Sequence, residues 1–131
     1  MCSIIERFFC EERMCSSCFC GCELEVVSRV VENWDKLGMN GVIIKSDGKP
    51  IAFGAVCVQK DSLLFLSKKV SRRTRGLNEY LHSILMERFG KNCKYVNYSD
   101  DMGRKGLRSY KSRLGNHTLM HRYVVKLLSK G

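Results

Sequence analysis

Hydrophobic residues recur along this chain in two rhythms, and the order of those rhythms outlines a domain of mixed helices and strands. Leu24, Val27, Val30, Val31 and Trp34 fall at three- and four-residue spacing, which predicts an amphipathic helix over residues 23–37, ended by Gly38. Residues 41–46 and 51–59 are apolar runs joined by Asp47-Gly48-Lys49, a strong hairpin signal. Pro50 stands at the opening of the second run, where its missing N–H does least harm. Lys60-Asp61-Ser62 turns the chain into a third strand, 63–66. Leu77, Leu81, Ile84, Leu85 and Phe89 restore helical spacing and predict a helix over 77–89 that stops near Gly90. A short buried strand is expected at 95–98 and a helix from Leu107, with Asp100 or Asp101 as its cap and Gly103 and Gly106 releasing the backbone ahead of it. Residues 119–128 read as a closing, mainly apolar strand.

At 131 residues the chain fits one domain, able to bury roughly two-thirds of its unfolded surface. There is no repeat, low-complexity tract or linker, so the expected division is a Cys-rich arm over 1–22 and one folded module over 23–131. No apolar run approaches the roughly 20 residues that span a bilayer, and the start, MCSIIERFFCEER, is too acidic for a signal peptide. The expected compartment is the cytoplasm, where eight cysteines are free thiols or metal ligands more often than a disulfide framework.

Charge divides the chain. Residues 1–65 carry 7 basic and 9 acidic side chains, net −2, whereas residues 66–131 carry 16 basic and 4 acidic, net +12. Within the basic half, KKVSRRTR places Lys68, Lys69, Arg72, Arg73 and Arg75 in eight residues, just before a helix start. That is a footprint for phosphates of a cofactor, an RNA or a lipid head group, and its bland alternative is a solvated loop.

The densest chemistry lies in residues 95–115, YVNYSDDMGRKGLRSYKSRLG, where a strand passes through an acidic, glycine-punctuated turn into a helix bearing Arg108, Tyr110 and Lys111. Strand ends of this kind are where α/β folds place their sites. The passage from Asn97 to Leu107, Arg108, Tyr110, Leu114 and Gly115 resembles the end of the GNAT acyltransferase fold, in which a strand ending in Asn leads to a helix A-x-x-x-Y-x-x-x-G. Asn97, Asp101, Gly103, Gly106, Leu107, Arg108, Lys111 and Tyr123 resemble more closely the pattern N-x-x-x-D-x-G-x-x-G-L-R-x-x-K with a later K-Y, found in the phosphatidylglycerol lysyltransferase C-terminal-like domain; Arg122 stands where Lys is usual. The resemblance implies an α+β, GNAT-like fold: a mixed, mostly antiparallel sheet flanked by helices. It also implies transfer of an acyl or aminoacyl group from acyl-CoA or aminoacyl-tRNA to an amine or hydroxyl acceptor, with no tightly bound cofactor. Proteins of that kind usually carry two such modules in tandem, so a second module is an expected partner, and transfer to a lipid would need peripheral membrane contact.

Under that resemblance the phosphate cradle is Arg72, Arg73, Arg75, Gly76 and Asn78. Gly76 lets the backbone approach an anion at the positive end of a helix, although Asn78 replaces the Gly or Ala that closes the family's Q/R-x-x-G-x-G/A loop. The catalytic set is Asp101, Arg108, Tyr110 and Lys111. Tyr110 protonates a departing thiolate, Asp101 orients an ammonium, and Arg108 and Lys111, one helical turn apart, hold an anionic group. Each has a plainer reading: packing for Tyr110, a cap for Asp101, a solvated pair for the two cations.

Cys15, Cys18, Cys20 and Cys22 form C-x-x-C-x-C-x-C. One C-x-x-C is a metal half-site, but four ligands this close converge poorly on a tetrahedron, and His82, His117 and His121 are distant in sequence. An oxidation-prone arm is the alternative, and Cys57 and Cys93 read as buried thiols. Thiols and charge together support a second functional class, a small basic nucleic-acid-binding protein with a Cys-bound metal. The absence of an aromatic residue between Lys68 and Arg75 on which a base could stack counts against it.

Overall fold

The computed structural model describes residues 23–99, 104–121 and 123–127. They fall in two units, one ending at Ser99 and the other beginning at Asp100. In the first, helix α1 (Glu23–Glu32) leads to strands β1 (Met39–Ser46), β2 (Lys49–Gln59) and β3 (Ser62–Val70), helix α2 (Leu77–Phe89) and strand β4 (Tyr95–Asn97). The sheet order is β1-β2-β3-β4, the first two pairings antiparallel and the last parallel. The result is the expected α+β architecture.

Local chemistry explains the turns. Asp47 and Gly48 have φ of 49° and 75°, both positive as a two-residue type I′ hairpin requires, and Ser46 pairs with Lys49 across it. Pro50 lies in a central strand, yet β2 meets β3 only from Ala52 onward, so its missing donor falls outside that ladder. Helix α1 is shorter than its apolar spacing predicts. The Asn33 side chain and its own N–H share the Arg29 carbonyl at 2.9 and 3.2 Å, the Trp34 N–H then reaches Val31 one residue short of the helical partner, and residues 33–38 become turns with Gly38 at φ 60°.

The two faces of the sheet carry separate cores. Val42, Ala52, Val56, Leu63 and Phe65 pack with Leu77, Leu81 and Leu85 of α2. On the other face Met39, Ala55 and Cys57 are covered by Val30, Trp34 and Leu64. Glycines allow both approaches: a Cβ on Gly54 would lie 2.5 Å from Leu85, and one on Gly41 would lie 2.9 Å from the Gly54 carbonyl and 3.0 Å from the Trp34 ring.

In the second unit, helix α3 (Lys105–Ser112) begins two residues before Leu107 and takes Gly106 inside it. The strand expected over 119–128 does not form among the described residues, where 117–121 and 123–127 have no regular structure. Its apolar side chains stand in solvent, Met120 88% and Leu127 99% exposed. β-propensity alone does not make a strand; a ladder partner does. No helix among the described residues is long and apolar enough to cross a membrane.

Candidate functional site

The basic run divides between two elements. Strand β3 extends to Val70, four residues beyond its expected end, so Lys68 and Lys69 belong to the strand, while Arg72, Arg73 and Arg75 are exposed in the turn that follows. Ser71 anchors that turn: its N–H donates to the Ile51 carbonyl at 2.8 Å, and its buried hydroxyl accepts from the Arg73 N–H at 3.4 Å. Gly76 then takes φ 78° as the N-cap of α2, with no side-chain cap, and its carbonyl accepts the Tyr80 N–H at 3.0 Å. A cap without a side chain leaves the first-turn N–H groups to an outside acceptor, an arrangement that suits a phosphate. Glu79 in that first turn opposes an anion, so the three arginines must supply the attraction; Asn78 is half-buried beside them.

The sheet opens between β3 and β4. Their register covers only Ser62↔Tyr95, Leu63↔Val96 and Leu64↔Asn97, although β3 continues to Val70. At the point of divergence the β2–β3 register shifts between Ala55 and Val56, which pair with Ser67 and Phe65 and leave Leu66 as the extra residue of a bulge. The bulge restores Lys68 and Val70 to the face that Phe65 occupies, toward α2. Backbone polar groups at the C-terminal ends of splayed parallel strands are a usual place for a ligand.

The end of β4 is held at three points. Asn97 Oδ1 accepts the Ser99 N–H at 2.9 Å, the Ser99 hydroxyl donates to the Phe65 carbonyl at 2.5 Å, and Ser99 itself takes φ 59°. Between them, Tyr98 turns its ring toward α2, where Phe65, His82 and Tyr98 form a cluster with centroids 5.2–5.8 Å apart. The Tyr98 hydroxyl is 3.5 Å from His82 Nε2. His82 Nδ1 is buried and meets no hydrogen-bond partner among the described residues. Burial, with the nearby Lys68 charge second, holds the His82 pKa below its ordinary value.

In the second unit α3 carries Arg108, exposed, with Tyr110 and Lys111 half-buried. Its N-cap is Arg104 in extended conformation, with no side-chain cap bond. Asp101, Arg122 and Cys15, Cys18, Cys20 and Cys22 lie outside the described residues. Cys57 is buried, its thiol pushed up by that burial, whereas Cys93 is only half-buried and lies in the turn after α2, not in a strand, its Sγ 3.7 Å from the Phe89 carbonyl. No group of metal-ligating side chains forms among the described residues.

Sequence reasoning brought out the arginine turn, Gly76 and the α3 residues. It missed the bulge at Leu66 and the cluster of Tyr98 with His82, because a bulge has no sequence signature and the two residues are 16 positions apart. The one available signal was Asn97, which marked the strand end that places Tyr98.

No family model matches the chain, and no curated protein does. Solved structures do. A ribosomal-protein-alanine N-acetyltransferase from Brucella melitensis biovar Abortus 2308 superposes with a TM-score of 0.67 at 8% identity, over 96% of this chain and 92% of the other. The fold is that of the GNAT acetyltransferases. A conserved protein of unknown function from Bacteroides thetaiotaomicron gives a TM-score of 0.74 at 21% identity, over 91% of this chain but only 43% of its own length. An aminoglycoside N-acetyltransferase in complex with CoA gives 0.55 at 14% identity, over 77% of this chain and 95% of the other.

Proposed function

We propose that the chain is a GNAT-type acyltransferase module that takes an acyl group from a phosphate-bearing donor to an amine. The observation that carries this reading is the arginine turn ending in the uncapped, left-handed Gly76, set between β3 and α2 of a GNAT fold. Acyl-CoA is the favoured donor, because one structure of the same fold is a complex with CoA. Arg72, Arg73 and Arg75 attract the donor phosphates, and the first-turn N–H groups of α2 orient them. Asp101 holds the acceptor ammonium, Arg108 and Lys111 hold an anionic part of donor or acceptor, and Tyr110 returns a proton to the departing thiolate. This single module acts with a second one where the acceptor demands it.

A second donor, aminoacyl-tRNA, is favoured by the net charge of +12 over residues 66–131, more than one CoA requires. Lysyl transfer of the kind suggested by the Asn97–Lys111 pattern would use it, with a lipid or another amine as acceptor. The test is equilibrium binding of CoA and of tRNA to the wild-type chain and to an Arg73→Ala, Arg75→Ala double variant across a salt series. Loss of CoA affinity by about tenfold or more supports the first donor. A steep salt slope for tRNA that the variant reduces by about two supports the second. Unchanged affinity for both refutes the cradle, and tight tRNA binding without any transfer supports a nucleic-acid-binding protein instead.

A further inference from the structure

We propose that Tyr98 and His82 form a proton relay on the α2 side of the gap between β3 and β4, receiving the proton that the acceptor amine loses as it attacks the acyl group. This rests on the transferase reading above. That reading gives Asp101 the amine to hold and names no group to take the proton that the amine loses.

The geometry supplies one. Tyr98 is the first residue past β4, where the parallel register has ended, and its neighbours are fixed by two hydrogen bonds to Ser99 and by the left-handed backbone there. A non-glycine residue held in that conformation costs about 1–3 kcal/mol and persists where the surroundings over-determine it, often at functional sites. Phe65 and Tyr98 flank the His82 ring, and the phenol oxygen lies 3.5 Å from Nε2. That separation is long, as catalytic hydrogen bonds often are before substrate is bound. With the phenol donating to Nε2, the ring proton sits on Nδ1, the atom that is shielded and meets no partner among the described residues.

The surroundings keep the ring neutral, the form that can take a proton, and make the imidazolium short-lived, so that it gives the proton up again. Lys68 faces it from β3 and Tyr98 from β4. The residues that β1 and β2 turn toward α2, Val42, Ile44, Ala52, Gly54 and Val56, are uncharged. On its own helix Glu79 lies one turn earlier and exposed. The acceptor sheds its ammonium proton to solvent on entering the gap and reacts as the free amine, its nitrogen bonding to the acyl carbon as an N–H breaks. The proton passes to the Tyr98 oxygen while the phenol's own proton passes to His82 Nε2. The carbon–sulfur bond of the donor breaks with its electron pair on sulfur, which Tyr110 protonates. Once product leaves, the imidazolium gives its proton up to solvent through the same phenol and Tyr110 regains one from solvent, so both groups end as they began.

The experiment uses the whole chain, with acetyl-CoA in one arm and lysyl-tRNA in another as donors and a pool of primary amines as acceptor. Tyr98→Phe and His82→Phe keep the aromatic cluster and remove the relay. We expect kcat to fall about 10²-fold in each with KM nearly unchanged, and the acidic limb of the wild-type pH profile to disappear. Nitrogen-15 NMR of the histidines, read without any substrate, should show His82 as the Nδ1–H tautomer and a shift in its titration on Tyr98→Phe. A wild-type chain that transfers while both variants match it, or a His82 in the Nε2–H form indifferent to Tyr98→Phe, overturns the relay alone. A wild-type chain that transfers from neither donor overturns the transferase reading and the relay's role with it.

Discussion

Helices α2 and α3 both follow a strand or loop in a basic stretch of chain, and both carry an apolar stripe, but only α2 has a core of its own. Leu77, Leu81 and Leu85 of α2 are buried against the sheet, whereas no residue of α3 is fully buried and the chain after it presents Leu119, Met120, Val124, Val125 and Leu127 to solvent. An amphipathic stripe thus records a demand for cover, and whether the demand is met depends on partners far away in sequence. Stability in the described residues concentrates in the sheet and α2, while the candidate residues on α3 sit on a helix that is at most half-buried. Regions that bind and react are commonly drawn from the less stable parts of a fold.

The largest effect should come from Leu81→Ala, which removes a side chain with no exposed surface and is expected to cost about 2–5 kcal/mol in urea unfolding. Leu107→Ala on α3 should cost less than about 1 kcal/mol by the same measurement. Equal losses would break the comparison by showing that α3 carries a core too. Gly41→Ala should cost about 1–3 kcal/mol, because the new methyl meets the Gly54 carbonyl and the Trp34 ring. As Trp34 is the single tryptophan, its fluorescence should shift with the loss. Gly76→Ala meets no neighbouring atom within 4 Å, so its cost, about 1 kcal/mol, is that of the left-handed backbone alone. Donor affinity should fall by more than that stability change accounts for if the turn cradles phosphate.

The smallest effect is on pH dependence. His82 is held below its ordinary pKa in the fold, so the unfolded chain binds its proton first as the medium is acidified. Its contribution to stability is therefore complete above about pH 6.5 and is lost as the pH falls from there through the lower folded value. His82→Phe should flatten that part of a stability-versus-pH curve. An unchanged curve would place the imidazole in solvent and remove the single histidine of residues 1–99 from the comparison.

Much of the sheet and of α2 was legible because their signals are local. The span 77–89 follows from five apolar residues at helical spacing, and the Asp47-Gly48 turn from residues that accept positive φ. The arginine turn and Gly76 could likewise be located beforehand, since cations and a glycine before a helix start are one-dimensional features. The early end of α1 at Glu32 escaped because the apolar spacing runs on through Trp34 while the backbone tightens to i→i−3 bonding there, the Trp34 N–H donating to Val31. The closing strand that does not form among the described residues was expected because an apolar run records a demand for burial and does not name the neighbour that would meet it.

The sequence by itself therefore determined most of the helices and strands of the first unit, where its chain turns, and that positive charge gathers beside one helix start. Only the tertiary structure decided that β3 bulges at Leu66, that β4 leaves it after three residues, and that Tyr98 meets His82 in the space so opened. The reason is physical: spacing and propensity act over a few residues, whereas a bulge, a splay and a ring cluster arise from the balance of packing among strands and a helix far apart in the chain.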